Sequence, residues 1–303
     1  MFARRGVSLP EHAMLYPTLM VADALADRLV QGYREMFGAG HSERAELVAT
    51  AARLSMQLIG DSDALYHNAH HTALVTLVGQ DILRGRMLAS PIQPDDWTHV
   101  TLAMLLHDIG YVRGVCDGDR AGHCVIDEAG TTIAMPRGAS DAWLAPYHIE
   151  RGKLAVRSRL GRHPGIDVER IARAIERTRF PVPEDADHAA TDDEAGLVRA
   201  ADLIGQLADP LYLRRAGALF HELAETGVAA KLGYDSSADL VEKYPAFYWS
   251  RVEPYIGPAL RCLRRTMTGK DWIAHLYANV FTVEHQLRTM GPEPVGRKVT
   301  RPE

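Results

Sequence analysis

Apolar residues recur at three- and four-residue steps along most of the chain. Leu15, Leu19, Val21, Leu25, Leu29 and Val30 set the pattern for a helix over 13–36. Ser42, with Glu43 and Glu46 just inside, starts a second helix that runs to residue 59 before Gly60. A third spans 68–88. A fourth follows Pro94, with Asp95 and Asp96 in its first turn, and continues to 109, where Gly110 is a stop signal. From 112 to 147 the texture changes: glycines stand at 114, 118, 122, 130 and 138, and the helical period fades. This stretch reads as a long loop or short hairpin inserted between helices, of the kind that often walls a site. Helical patterns resume at 148–160, 167–179, 192–208, 211–230, 237–241, 246–267 and 270–290. The expectation is an all-α fold: one helical domain over 1–290, with the 112–147 insertion, extra C-terminal helices and a flexible tail at 291–303.

Composition narrows the class. The 303 residues are 47% hydrophobic and 24% charged, as in ordinary globular proteins, which excludes disorder and collagen-like repeats. Lys+Arg 34 against Asp+Glu 39 gives a net charge of −5 without a basic stripe, so duplex nucleic acid is not an expected partner. Three cysteines without framework spacing fit a reducing compartment. Arg4 and Arg5 are followed by no apolar signal region, and no run approaches the ~18 apolar residues of a membrane span. A cytoplasmic protein with no membrane partner is expected. A homodimer through the C-terminal helices fits the pattern without being required by it.

The unusual number is 14 histidines, several of them clustered, since histidine is both the commonest metal ligand and a frequent acid or base. The first cluster is Tyr66-His67-Asn68-Ala69-His70-His71. On a helix, His67 and His71 share a face and address one small volume. His70 lies off that face and reads as a structural histidine. The second cluster is His107-Asp108, closing the apolar run Leu102-Ala103-Met104-Leu105-Leu106. Adjacent helical residues point about 100° apart, but at a helix end both can converge on one ion. The third element is Asp202 in Ala200-Ala201-Asp202-Leu203, a carboxylate in apolar surroundings that calls for a partner or a metal.

In this order the three elements resemble the HD superfamily of metal-dependent phosphohydrolases, and more closely the catalytic domain of the cyclic-nucleotide phosphodiesterases. That family opens its site with Tyr-His-Asn-x-x-His, matched by Tyr66, His67, Asn68 and His71. Its His-Asp pair is matched by His107-Asp108, and its Ala/Cys-Asp-Leu segment with a following proline by Ala201-Asp202-Leu203 and Pro210. Ile175 to Thr178 resembles the Ile-x-x-Thr stretch between them. The resemblance covers roughly residues 64–210. It implies an HD-like helical bundle in which His71, His107, Asp108 and Asp202 ligate one divalent metal and Asp108 bridges to a second. It also implies that His67 is the general acid.

The resemblance implies one or two divalent ions, with Zn, Mn, Fe, Co, Ni and Mg all admitted by such a donor set, and a small phosphorylated substrate. A nucleotide is the first candidate, whether as a cyclic phosphodiester or a monophosphate. After the His-Asp pair, Ile109-Gly110-Tyr111 is closer to bacterial HD proteins than to the mammalian-type enzymes. The later glutamines are Gln206 and Gln286, and neither stands in the setting of the family's purine clamp. Two other readings stay open: an HD-type diiron oxygenase, with His148, His123, His163 or His188 completing a dinuclear site, and a non-catalytic HD-fold binding protein. Cys116, His123 and Cys124 lack the paired spacing of a structural zinc site. Arg151, Lys153 and Arg157 read as a solvated helix face, Asp117 and Asp119 as loop solvation, and Phe247, Tyr248, Trp249, Tyr255 and Trp272 as packing.

Overall fold

The computed structural model describes residues 16–286. Those residues form an all-α fold with one small hairpin. In chain order the long helices begin with α1 (Pro17–Phe37), α2 (Ser42–Gly60), α3 (Ala69–Met87) and α4 (Pro94–Leu106). After the insertion come α5 (His148–Leu160), α6 (Val168–Glu176), the single turn α7 (Ala186–Ala189) and α8 (Glu194–Leu207). The C-terminal part holds α9 (Tyr212–Glu225), α10 (Val228–Lys231), α11 (Ser237–Glu242), α12 (Tyr244–Phe247), α13 (Glu253–Leu263) and α14 (Met267–Gln286). The tail expected at 291–303 and the first residues of the chain lie outside the described residues.

Local chemistry sets most boundaries. Asn68, Asp167 and Asp193 cap α3, α6 and α8 with side-chain oxygens that accept backbone N–H groups of the first turn. Gln93 and Asp96 form a reciprocal box at the start of α4, with Pro94 at its first position. Two expected helices are broken. The stripe over 211–230 divides at Gly227, whose φ of 71° lies in the left-handed region and separates α9 from α10. The stripe over 246–267 is interrupted by a wide turn at Tyr248–Val252, after which Pro254 opens α13.

The main core lies between α3, α4, α8 and α13, with Val75, Val78, Trp97, Leu102, Val198, Ile204 and Ile256 fully enclosed. A smaller core joins α1 and α2 to Leu105 on α4. The insertion forms a hairpin, β1 (His123–Val125) against β2 (Thr132–Ala134), with Cys124 facing Ile133 in antiparallel register. It is anchored from below by Arg151 on α5, which is completely buried. The Arg151 guanidinium donates to the carbonyls of Gly110, Val112 and Val125 and pairs with Asp119 at 2.9 Å.

This corrects the readings of Arg151 as part of a solvated helix face and of Asp119 as loop solvation. Arg151 and Asp119 are a buried pair, because the insertion folds back over α5. Lys153 and Arg157 stay near the surface, bound to Glu150 and Glu176 and to Glu169. Cys116, Cys124 and Cys262 are all unpaired. Among the described residues no helix is long and apolar enough to cross a membrane.

Candidate metal centre

Three chain segments deliver the centre. Helix α3 contributes His71 from its first turn, α8 contributes Asp202 from its middle, and the end of α4 contributes His107 and Asp108. The helix over 94–109 stops at Leu106 rather than continuing. His107 keeps helical dihedrals, whereas Asp108 (φ −101°, ψ 5°) leaves them and opens a tight turn over Ile109–Tyr111. That departure lets two adjacent side chains converge. Gly110 is required for another reason as well: a Cβ there would lie 1.8 Å from the carbonyl oxygen of His148, so only glycine admits α5 against the turn.

His71 Nε2 lies 3.1 Å from Asp202 Oδ1 and 3.4 Å from Asp108 Oδ2. His107 Nε2 lies 3.1 Å from Asp108 Oδ2, 3.6 Å from Asp202 Oδ1 and 3.3 Å from His71 Nε2. Among the described residues, His71, His107 and Asp108 are the group of His, Cys, Asp and Glu side chains whose ligand atoms cluster within 4.8 Å, and all three are buried. This group could hold a metal ion. The donor set fits one: His107 Nδ1 meets the Met104 carbonyl at 2.8 Å, which fixes its proton there and leaves Nε2 as a lone pair facing the cluster. Asp108 Oδ2, enclosed among these imidazoles, has no hydrogen-bond donor of its own, as expected of an oxygen reserved for a cation.

The imidazoles and carboxylates of the cluster shift one another's proton affinity. Burial presses the His107 pKa down, but the Asp108 and Asp202 carboxylates outweigh it and raise the value well above the usual range. Burial resists ionisation of Asp108 and Asp202, yet the surrounding imidazoles hold both well below ordinary aspartate values.

His67 stands beside the cluster but not on α3, which corrects the expectation that it shares a helix face with His71. The helix begins after Asn68, whose extended dihedrals (φ −133°, ψ −176°) turn the chain. The two imidazoles still approach to 5.5 Å between ring centres. His67 Nδ1 lies 2.5 Å from Glu222 Oε2, and Glu222 Oε1 accepts the backbone N–H groups of Tyr66 and His67 at 2.6 and 3.2 Å. Burial alone would depress the His67 pKa; the Glu222 carboxylate reverses this and carries it to about 9. Tyr111 stacks on His67 at 4.7 Å and on His148 at 4.5 Å, so its ring lies between the two imidazoles.

A cavity of about 430 Å³ opens from this wall. His67, Asp108, Asp202, Tyr111, His148 and Glu222 line its polar end. Of the other histidines, His70 binds Asp209 at 3.2 Å, His188 binds Asp185 at 2.8 Å, and His123 sits exposed on β1. None of these three lines the cavity. His163 is exposed and faces the Pro164 carbonyl. Glu150, two residues after His148, turns to Lys153 and Arg179. Phe247 is not packing alone, since it lines the cavity. Glu222 was not foreseen from sequence, although it had a signal: it continues the apolar stripe Tyr212, Ala216, Leu219 of α9, where a carboxylate demands a partner.

A family model described as Npun_R2479-like matches residues 15–286. In the comparison with curated proteins nothing matches.

Proposed function

We propose that this chain, which belongs to the Npun_R2479-like family, is a metal-dependent phosphohydrolase of HD type. The observation that supports this reading most is the convergence of His71, His107, Asp108 and Asp202, whose two aspartates line a cavity, with an independently held imidazole, His67, beside them. Asp202 joins the two histidines and Asp108 as the fourth ligand. A divalent ion in such a site polarises a phosphoryl group and brings the pKa of water near neutrality.

The protein's own groups do the rest. Glu222 fixes the His67 ring through Nδ1, so Nε2 is the nitrogen left for the substrate. Glu222 also keeps His67 protonated at neutral pH, the state a general acid needs. In the reaction a water that gives up one proton to solvent bonds through its oxygen to phosphorus, and the bond from phosphorus to the leaving oxygen breaks. His67 gives its Nε2 proton to that leaving oxygen, and solvent later restores the proton that His67 spends.

A second reading draws on His148. Its Nδ1 meets the Ala145 carbonyl at 2.6 Å, so Nε2 is free on the cavity wall near Asp108, as an extra ligand of a diiron oxygenase would be.

The deciding experiment is elemental analysis of the purified protein together with hydrolysis of bis-p-nitrophenyl phosphate after reconstitution with Mn, Mg, Zn or Fe. One or two metals per chain with metal-dependent nitrophenolate release supports the hydrolase. Two irons per chain without release supports the oxygenase. No metal after reconstitution overturns both and leaves a binding protein.

A further inference from the structure

Away from the metal wall the cavity changes character. Much of its remaining lining is apolar, including Phe180, Leu219, Leu223, Leu240, Tyr244 and Phe247. Cations on the wall are scarce and mostly committed. Arg179 is bound to Glu150 and Glu176. Arg199 gives protons of its two terminal nitrogens to the carbonyls of His188 and Ala190 and lies over Tyr255 at 4.4 Å, while its Nε is buried without a partner. Lys231 is exposed and forms no ion pair among the described residues.

The two threonines of the wall are turned towards the protein. Thr178 donates to the Ile175 carbonyl and Thr226 to the carbonyls of Glu222 and Leu223. The one side-chain amide on the wall is Gln206. A polyphosphate would need several free cations, and apolar side chains on this wall outnumber the groups, Gln206 and the Tyr212 and Tyr234 hydroxyls among them, that could pair with a nucleobase or sugar.

We propose that the substrate is a lipophilic phosphoester: one phosphoryl group at the His/Asp wall and an alkyl or aryl body filling the apolar chamber. This rests on the phosphohydrolase reading and replaces its nucleotide with a different class of molecule. At about 430 Å³ the cavity falls in the range that encloses a small organic ligand. Each methylene moved into such a chamber improves affinity about three- to fourfold.

The test uses n-alkylphosphonates of one, four and eight carbons, which keep the head group and cannot be hydrolysed. Binding is measured by calorimetry on the metal-reconstituted and metal-free protein, with adenosine 5′-monophosphate alongside. The expected result is a single site per chain whose Kd falls about three- to fourfold per methylene until the chamber is full, in both forms of the protein, with octylphosphonate binding tighter than the nucleotide. Phe247→Ser and Leu223→Asn, both at half-buried wall positions, should flatten that dependence.

A Kd that ignores chain length, or a nucleotide that binds more tightly than octylphosphonate, overturns the proposal. The two readings fail separately. A steep chain-length dependence without hydrolysis of bis-p-nitrophenyl phosphate removes the phosphohydrolase and leaves the chamber. Hydrolysis with a flat dependence removes the lipophilic substrate and leaves the enzyme.

Discussion

Replacing Glu222 by glutamine tests the His67 proton directly. The amide keeps the shape of the side chain and an oxygen that can accept from the Tyr66 and His67 N–H groups, but it removes the negative charge 2.5 Å from His67 Nδ1. In the native protein that charge lifts the His67 pKa to about 9 against the opposing effect of burial. Without it only burial and the more distant aspartates act, and the value returns to about 6.5 or below. A general acid works in its protonated form, so the alkaline limb of kcat/KM should move from about 9 to about 6.5. At pH 8 the protonated fraction falls from about nine-tenths to about three per cent, a loss of roughly thirtyfold, whereas at pH 5.5 the two proteins should agree within about a factor of two. Cations at the neighbouring centre displace both limbs alike, so the separation between the profiles is the quantity to read. The assay is kcat/KM for bis-p-nitrophenyl phosphate from pH 5.5 to 10 at saturating metal. A loss of equal size at every pH, or superimposable profiles, would refute the reasoning and leave Glu222 as a purely structural anchor.

His67→Ala should retain the native metal content while kcat falls about 10²- to 10⁴-fold, whereas Asp108→Ala should lose metal and turnover together. Elemental analysis beside kinetics separates these, and a rate unchanged across pH in His67→Ala would end its role as acid. Metal affinity should weaken as pH falls, because His107 carries a proton that the cation must displace; isothermal titration in two buffers of different ionisation enthalpy should show the release. Arg151→Met strands Asp119 in the interior and should cost about 3–5 kcal/mol in urea unfolding, and a loss below about 1 kcal/mol would show that the insertion does not depend on this pair. Gly110→Ala forces the turn away from the His148 carbonyl and should destabilise by roughly 1–3 kcal/mol while also weakening metal binding. Stability loss with unchanged metal affinity would mean that α5 yields instead of the turn.

These positions also show which parts of the molecule could be read from the chain. The boundaries of α2, α3 and α5 follow from caps, glycines and a continuous apolar stripe, which are local and lie within a few residues of what they determine. His107 and Asp202 were legible for a related reason: each is a costly group in or at the end of an apolar run and requires a partner that sequence does not name, whereas His71 was legible from the histidine cluster it closes. Asp119 gives no such sign. It sits in a polar, glycine-rich stretch, and its burial follows from Arg151, 32 residues later on another element. The spacing of His67 from His71 suits one helix face, while the capping preference of Asn68 starts the helix after His67, and the second signal prevails. Glu222 lies between these cases. Its position on the apolar face of α9 announces a partner, but only the fold says that the partner is His67. The same logic locates the chamber: Leu219 and Leu223 belong to that stripe and would be expected to pack, yet they line a space beside the metal wall. An apolar face that folding leaves uncovered within a cavity is available to a ligand of matching polarity, so the proposed chemistry and the proposed selectivity would both draw on neighbouring residues of one helix, Glu222 and Leu223.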